Sequence, residues 1–421
     1  MRMGPAATPT TGPRVSVDVR SRTAADVVPV TAEAFFDQQL PELIDRRSPR
    51  VAEGARQLGP RPMAFEMGRR AWTLAFDGDR VTVAAGPGPA EAAAARVRLD
   101  PDALADVVND LRTPMGLFTG GDLDQPRGRL EDFLDWWVIL RGLLDDRPVH
   151  TRGAVTFTGL DGEPLDLARG FGPDDDPAEM AHFLAEAGYL HLVGVFDPDE
   201  MAAVSAEMDA AAPRYAPGDD NSWWARTADG EDRLVRLQRF QRESPTTRAL
   251  LADDRLGRIG RLTVDGHRLG KPGADTNLVE ALIKPIGVVE GISDVPWHKD
   301  CSLGSHSYRC CSLTVGISVT GADAGSGQLG VVAGSHRALI QPAFVRRDLD
   351  LPQVALPTAT GDVTVHLSCT LHMSHPPVTA ERRVLYTDFS LPHDGDRSPG
   401  EAELARIRRA APVTVSQQPA V

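Results

Sequence analysis

LVEALIKP, at residues 278–285, is the first of five short strand-like segments that succeed one another along the last third of the chain. The other four are CSLTVGISV (311–319), LGVVAG (329–334), DVTVHLS (362–368) and RVLYTDFSL (383–391). Short antiparallel strands at this density are typical of a double-sheet jelly roll, also called a double-stranded β-helix. The sequence therefore predicts an α+β protein whose C-terminal part is such a roll, with flanking helices packed outside it.

The first part of the chain predicts a smaller α+β unit. Two strand patterns, AWTLAF (71–76) and VTVAA (81–85), are joined by Asp77-Gly78-Asp79, which is typical of a hairpin turn. A third alternating segment, ARVRL (95–99), is expected to pair with them. Two helices come next, one opened by Asp100-Pro101 and running to about Leu111, and an amphipathic one over residues 130–144.

Composition changes along the chain predict where the domains begin and end. The Gly/Pro/Asp-rich stretch GFGPDDDP (170–177) is the best candidate for a linker. We expect a disordered leader at 1–28, an α+β domain at 29–165, a linker at 166–177, the jelly roll at 178–400 and a C-terminal tail at 401–421. Seven of the eleven histidines lie between His298 and His393, so chemistry that needs imidazole is expected in the jelly roll.

Charge and cysteine content narrow the class of protein. A formal net charge of -14 argues against a nucleic acid or an anionic membrane as partner. No apolar run approaches the roughly 20 residues that a membrane-spanning helix needs. The four cysteines show no CxxC spacing, which favours a reduced, cytoplasmic protein, and the Lys-poor, Ala/Arg-rich usage suggests a bacterium.

The segment Trp297-His298-Lys299-Asp300 contains a His-x-Asp pair. On an extended backbone, residues i and i+2 point to the same side, so both groups can reach one metal ion. A third ligand has to come from elsewhere, and His372 is our choice. Two imidazoles and one carboxylate form a facial triad that leaves positions open for other ligands, as in non-haem Fe(II) oxygenases.

The choice of His372 rests on two residues that lie C-terminal to it. Arg383 comes eleven residues later, where a returning strand would pass the metal, and its guanidinium could bind the distal carboxylate of 2-oxoglutarate in a bidentate way. Ser374 could add a hydroxyl group to the same carboxylate. His366 and His375 remain competitors for the third position. Lys284 either neutralises part of the oxo-acid charge or is an exposed lysine at a strand end.

These residues resemble the phytanoyl-CoA dioxygenase family over about residues 175–395. The matching pieces are PWHKD (296–300), SGQLGVVAGSHR (326–337) and GDVTVHLSCTLHMSH (361–375), together with Arg383. One difference is Gly327-Gln328, where members of the family often have Asn-Gly. The resemblance implies a cupin-like jelly roll, with iron ligands at His298, Asp300 and His372 and 2-oxoglutarate anchors at Arg383 and Ser374. It also implies Fe(II), 2-oxoglutarate and O2 as reactants, with release of succinate and CO2.

Other residues are candidates for contact with a small-molecule substrate. Trp223 and Trp224 lie in DNSWWAR (220–226), which fits a lid over the active site or, equally, a surface loop with core tryptophans. Trp297 adjoins the first ligand and is expected to pack behind it or to face the substrate. His375 is either a substrate contact or a solvated turn residue.

The first unit also resembles a sterol-carrier-like domain over residues 30–160, in the order strand hairpin, ARVRLDPDALADVV, LFTGGDLDQPRGRL and an apolar helix. That resemblance implies an apolar tunnel for a lipid; a packing or homodimerisation domain is the alternative. The whole chain then has two candidate functions. One is an Fe(II)/2-oxoglutarate dioxygenase acting on a C–H bond of a natural-product or lipid-like molecule. The other is a non-catalytic lipid or small-molecule binding protein with a degenerate oxygenase fold, and a hydrolase using another divalent metal is a weaker third.

Overall fold

A computed structural model describes residues 28–219, 221–263, 266–270, 277–291, 295–302 and 312–390. The proposed C-terminal tail, nearly all of the proposed leader, and the end of the proposed jelly-roll domain lie outside these ranges. The described residues form two large hydrophobic cores, one built mainly by residues before 150 and one built by residues after it.

The N-terminal unit is one mixed sheet covered by helices. Its strands lie in the order β3-β2-β1-β4-β5, and β1 and β4 run parallel while the other pairs are antiparallel. A π-helical turn at Ala34–Gln39 leads into the first helix. The elements are α1 (Leu40–Leu58), β1 (Met63–Met67), β2 (Arg70–Phe76), β3 (Val81–Ala85), α2 (Pro87–Ala92), β4 (Ala95–Arg98), α3 (Pro101–Asn109), α4 (Pro114–Gly120), β5 (Asp124–Arg127) and α5 (Leu130–Asp145).

The local signals in this unit are confirmed. Strands β2 and β3 form the predicted hairpin, with Phe76 opposite Val81. The side chain of Asp100 caps α3 by accepting a hydrogen bond of 2.7 Å from the Ala103 amide. The pairing of ARVRL was wrong, however, because β4 pairs with β1 and β5 and not with the hairpin.

Between the two units, residues 150–176 lie against the C-terminal core. Phe171 is fully buried there, and its amide donates a 2.8 Å hydrogen bond to the carbonyl of His191. Phe157 and Leu167 pack against the same core. The segment around the expected linker is thus folded onto the C-terminal unit, and the boundary between the two cores falls near residue 150.

The C-terminal unit contains a large and a small antiparallel sheet. The helices are α6 (Pro177–Ala187), α7 (Pro198–Ala211), α8 (Pro245–Leu251) and α9 (Asp254–Gly257), with 3-10 turns at Ala212–Arg214, Phe240–Arg242, Ile259–Leu262 and Asp300–Ser302. The strands are β6 (Tyr189–Leu192), β7 (Ser222–Thr227), β8 (Asp232–Leu237), β9 (Arg268–Leu269), β10 (Glu280–Lys284), β11 (Val288–Glu290), β12 (Leu313–Ser318), β13 (Leu329–Val332), β14 (Gln353–Leu356), β15 (Val363–Leu367), β16 (His372–Ser374) and β17 (Arg382–Ser390).

The large sheet has the order β11-β7-β8-β10-β17-β12-β15-β6, with β9 beside β17, and the small sheet has the order β14-β13-β16. Alternation along the central strands separates two faces. One face supplies Val315, Val365 and Leu385 to the core beneath the helices. The other, which we call the inner face, carries the polar residues of the site. Among the described residues, no helix is both long and apolar enough to cross a membrane.

The stretch expected as a lid forms a strand pair instead. Trp223 and Trp224 belong to β7, which is hydrogen bonded to β8 within the large sheet. In β8, DRLVRL, Val235 and Leu237 are buried whereas Leu234 and Arg236 are only partly buried. This is the pattern of a half-buried strand, and it outweighed the loop-like composition around the tryptophans.

Candidate metal centre

His298 and His372 face each other across a short antiparallel bridge. The amide of each donates a hydrogen bond of 2.9 Å to the carbonyl of the other. This backbone pairing fixes the separation of the two imidazoles, whose ring centroids lie 4.2 Å apart. Asp300 begins the 3-10 turn that comes after His298. Residues 74 positions apart in sequence are thereby brought to one point.

The three predicted ligands converge on a common space. One ligand atom from each of His298, Asp300 and His372 lies within 4.8 Å of the others. Oδ1 of Asp300 is 3.2 Å from Nε2 of His298 and 3.5 Å from Nε2 of His372. Both imidazoles are buried, while about a third of the Asp300 side chain is exposed.

Hydrogen bonds to carbonyl groups set the tautomer of both histidines. Nδ1 of His298 lies 2.7 Å from the Pro296 carbonyl, and Nδ1 of His372 lies 3.0 Å from the Thr370 carbonyl. Because a carbonyl oxygen only accepts hydrogen bonds, each Nδ1 carries the proton. In that tautomer each ring presents the Nε2 lone pair to the shared space, which is the usual preparation of a metal-binding histidine.

The charges in the site also suit a cation. Burial and the neighbouring imidazoles of His366 and His298 hold the pKa of His372 well below its usual range, so that this ring is neutral. Burial opposes ionisation of Asp300, but the imidazoles that surround it, His372 first and then His298 and His366, hold the pKa of this carboxyl group well below its usual range. Two imidazoles beside one carboxylate form a donor set that fits Fe(II) with several positions left open.

A second cluster lies on the inner face, where β10 and β17 pair. Lys284 and Arg382 are opposite each other in the register, and both are buried. Nζ of Lys284 donates hydrogen bonds to the Ser374 hydroxyl and, at 3.2 Å, to the His375 carbonyl. Arg382 donates to the Gly327 carbonyl and, at 3.3 Å, to the Ser374 hydroxyl. Two buried cations thus meet at a single hydroxyl group, two residues from His372.

Arg382 has no carboxylate to balance its charge. No Asp or Glu of the described ranges lies within salt-bridge distance of its guanidinium, and its buried Nε has no hydrogen-bond partner there. A buried charge without compensation is strongly unfavourable, and like charges directly opposite in a sheet repel each other. The cluster of Lys284, Ser374 and Arg382, called the anion pocket below, is therefore suited to a carboxylate ligand.

The expectation that Arg383 anchors a co-substrate was wrong. Its guanidinium forms ion pairs with Asp209 at 2.8 Å and Glu381 at 3.0 Å and donates to the Ser205 hydroxyl at 3.0 Å. Ser205 and Asp209 belong to α7, outside the sheet. Successive residues of a strand point to opposite faces, so only one of two adjacent arginines reaches the inner face. That residue is Arg382.

Trp297 and His375 also lie away from the metal ligands. Both side chains lie close to the position that a Cβ atom of Gly330 would take. That position is on the face of the small sheet opposite the side chains of His372 and Ser374. Trp297 packs there against a small apolar cluster that includes Leu371. Trp297 thus packs behind the first ligand, and the structure does not support either residue as a substrate contact.

Of the two neighbouring tryptophans, Trp223 is the one that reaches the inner face. Its ring lies 4.6 Å from the guanidinium of Arg236, which pairs with Glu280 of β10 at 3.0 Å. Trp224 donates its indole N–H to the Ser222 hydroxyl at 2.9 Å.

Three more inner-face residues surround Asp300. Thr314 and Asp388 were not predicted, and His366 was considered only as a rival metal ligand. Strand alternation explains why all three side chains lie on the inner face. Thr314 on β12, His366 on β15 and Asp388 on β17 each lie an even number of residues from another inner-face position of the same strand. The sequence alone, however, does not determine which of the two alternating sets of residues on each strand faces inward.

Comparison with known proteins agrees with this geometry. The model of the phytanoyl-CoA dioxygenase (PhyH) family matches residues 184–385, which include the three predicted metal ligands and the anion pocket. Residues 184–385 are therefore a PhyH family domain. The comparison with curated protein sequences found no match for the chain.

The solved structures that resemble the chain cover somewhat more than half of it. The non-heme alpha ketoglutarate dependent epimerase SnoN from nogalamycin biosynthesis is 21% identical over 53% of this chain and 91% of its own, with a TM-score of 0.41. AviO1 from Streptomyces viridochromogenes Tue57 is 22% identical over 53% and 98%, with a TM-score of 0.40. EctD from S. alaskensis, solved with 2-oxoglutarate and 5-hydroxyectoine, is 19% identical over 58% and 86%, with a TM-score of 0.42.

Proposed function

We propose that this protein is an Fe(II)- and 2-oxoglutarate-dependent dioxygenase that oxidises a C–H bond of a natural-product or lipid-like small molecule. The observation that carries the proposal is the proximity of two preorganised sites. One is the convergence of His298, Asp300 and His372, and the other is the anion pocket with its uncompensated Arg382. A metal site that catalyses hydrolysis would not require the anion pocket.

In this proposal the two sites divide the work between metal and co-substrate. His298 Nε2, His372 Nε2 and Asp300 Oδ1 hold the iron. Lys284, Ser374 and Arg382 hold the distal carboxylate of 2-oxoglutarate, and its oxo-acid end is then directed towards the metal. When bound, Fe(II) supplies the chemistry that activates O2. Overall, 2-oxoglutarate, O2 and R–H give succinate, CO2 and R–OH, so the oxo acid and the substrate are each oxidised by two electrons.

The sheet order supports a double-stranded β-helix as the fold around this site. Strands β10-β17-β12-β15 form one central sheet and β16-β13-β14 form the facing one, with His298 bridged to β16. For the substrate we propose the part of the inner face near Trp223 and Arg236, where an aromatic ring and a paired guanidinium are available. We also propose that the N-terminal unit is a sterol-carrier-like domain.

An anaerobic titration tests the function directly. Adding Fe(II) and then 2-oxoglutarate to the protein should produce the weak visible charge-transfer band of the oxo-acid chelate. His298→Ala should abolish the band, whereas His182→Ala, a substitution on α6, should leave it intact because His182 bonds only to the Thr158 carbonyl among the described residues. Absence of the band in the wild-type protein, together with absence of succinate after O2 is admitted, would contradict the proposal.

The alternative of a lipid-binding protein with a degenerate oxygenase fold predicts the opposite pattern. Tight binding of an apolar ligand would then survive His298→Ala and Asp300→Ala. The N-terminal interior argues against a lipid tunnel there, since large side chains fill it. Phe36 stacks on Trp72 at 5.1 Å, and Phe65 contacts Phe133 at 5.7 Å.

A further inference from the structure

Three polar residues stand side by side across the inner face, on neighbouring strands. Thr314 of β12 is opposite Asp388 of β17 on one side and opposite His366 of β15 on the other. Side chains of directly opposed residues on one face lie about 5 Å apart, so the three form a continuous line. We call Asp388, Thr314 and His366 the polar row. It runs directly behind Asp300.

The polar row contacts one oxygen of Asp300 and leaves the other free. The Thr314 hydroxyl donates a 2.9 Å hydrogen bond to Oδ2, and Nε2 of His366 lies 3.4 Å from the same oxygen. Oδ1 is the oxygen that faces the Nε2 atoms of His298 and His372. The carboxylate is therefore divided, with Oδ1 towards the proposed metal position and Oδ2 towards the row.

Among the described residues, the acidic group that His366 lies closest to is the carboxylate of Asp300. It is 1% exposed, and neither ring nitrogen makes a well-formed hydrogen bond within the described part of the chain. Its ring packs at 4.0 Å from that of His372. Because an unpaired buried donor is unfavourable, this imidazole is held in place by the fold, next to the oxygen that it faces.

Asp388 completes the row from the other side. It lies opposite Thr314 in the register, and its side chain is exposed. The single hydroxyl proton of Thr314 is used for Asp300. Contact with Oδ2 of Asp300 therefore comes from Thr314 and His366.

We propose that Thr314 and His366 are positioning residues that hold Oδ2 of Asp300, so that the carboxylate offers Oδ1 alone to the metal. The inference rests on the proposed function, because it presupposes a metal at the triad. An unrestrained carboxylate can rotate and chelate with both oxygens. Coordination by one oxygen keeps a further position open, which a site for two co-substrates requires.

Co(II) is the probe for the test, since its visible spectrum responds to the number of ligands. Thr314→Val removes the donor while keeping the shape, and it should weaken Co(II) binding about tenfold and alter the spectrum. Thr314→Ser should restore both properties. The matched control is Thr364→Val, an inner-face threonine of β15 opposite Gly316, which should leave affinity and spectrum unchanged.

A second pair of variants keeps the proposal testable if Thr314→Val fails to fold. His366→Leu should weaken Co(II) binding about tenfold, whereas His366→Gln, which places an amide N–H near the former Nε2, should stay within about threefold of the wild type. If His366 were itself a ligand, His366→Gln would lose the metal as completely as His372→Ala, and that result would overturn the positioning role.

The outcomes separate the two proposals. Wild-type Co(II) affinity and spectrum in both Thr314→Val and His366→Leu would overturn the positioning inference and leave the proposed function standing. Failure of the wild-type protein to bind Co(II) would overturn both. Thermal unfolding of the metal-free variants shows whether a change in affinity comes from the site or from general loss of structure.

Discussion

The hydroxyl group of Thr113 donates a 2.7 Å hydrogen bond to the carbonyl of Ser302, and this contact joins the N-terminal unit to the turn that carries Asp300. Thr113 is fully buried and also caps α4, accepting a 3.0 Å hydrogen bond from the Gly116 amide. The backbone between His298 and Asp300 is held as well, since the Lys299 amide donates a hydrogen bond of 2.8 Å to the Pro342 carbonyl. The first unit thus supports the metal-binding turn directly.

Thr113→Val should therefore affect metal binding from outside the site. Loss of the cap and of the bond to Ser302 should destabilise the metal-free protein by about 1–2 kcal/mol and weaken Co(II) binding several-fold. Thr119→Val is the matched control on the same helix, because the Thr119 hydroxyl bonds back to the Met115 carbonyl at 3.0 Å. Chemical unfolding and Co(II) titration measure the two effects. Equal Co(II) affinities in the two variants would contradict the supporting role.

The adjacent arginines of β17 provide a matched pair for the anion pocket. Arg382→Met should weaken 2-oxoglutarate binding roughly 100-fold, because a buried cation that pairs with a carboxylate is removed. Arg383→Met should change it less than about twofold, since only a partly exposed surface network with Asp209 and Glu381 is lost. Anaerobic titration monitored by the charge-transfer band measures both affinities.

A shorter oxo acid sharpens the same experiment. 2-Oxobutanoate lacks the distal carboxylate, so its binding should be nearly insensitive to Arg382→Met. If Arg383→Met weakened 2-oxoglutarate binding more than Arg382→Met, the assignment of the pocket would be wrong.

The two arginines also illustrate what the sequence could and could not predict. The His-x-Asp spacing, together with a later histidine, predicted residues that the structure brings together, because an extended backbone places residues i and i+2 on one side. The spacing of eleven residues from His372 to Arg383, by contrast, did not correctly predict which arginine lies on the inner face. A turn of irregular geometry lies between β16 and β17, and a difference of one residue reverses the face to which a strand residue points.

Local structure was predictable wherever a few neighbouring residues determine it. The hairpin at Asp77-Gly78 and the cap at Asp100 are of this kind. Contacts between distant segments were not. The parallel pairing of β1 with β4 and the position of Leu339 within the N-terminal core depend on packing of the whole chain. No local pattern encodes either.

Asp135 should make stability depend on pH. It lies buried on α5, accepts a hydrogen bond from Gln341 and has Arg346 at 3.6 Å, and burial raises its pKa from 3.8 to about 6. A carboxyl group whose pKa is raised by folding contributes stability that is complete below its unfolded pKa, near pH 4, and lost as the pH rises through 6. The difference corresponds to roughly 3 kcal/mol at most.

Asp135→Asn keeps an acceptor for Gln341 and removes the charge. The variant should be more stable than the wild type at pH 7.5, by about 1–3 kcal/mol, and should lose this advantage at pH 4. Asp132→Asn on the same helix should instead be destabilising at pH 7.5, because it breaks the paired bonds to Arg61 at 2.7 and 2.5 Å. Urea unfolding at the two pH values measures the difference, and a gain that is independent of pH would rule out the titration of Asp135 as its cause.

Leu339 should couple the stability of the two units. It belongs to the loop after β13 in the PhyH domain, yet it is 5% exposed and packs within the N-terminal core, and the His150 amide donates to its carbonyl at 3.1 Å. Leu339→Ala should destabilise the protein by about 2–4 kcal/mol, because it leaves a cavity in the interface. Leu160→Ala, at a position 61% exposed, should cost less than about 0.5 kcal/mol. Unfolding monitored by tryptophan fluorescence and by circular dichroism should remain a single transition in the wild type, since Leu339 of the C-terminal unit fills part of the N-terminal core. Two well-separated transitions in the wild type, or equal effects of the two substitutions, would show that the units fold independently.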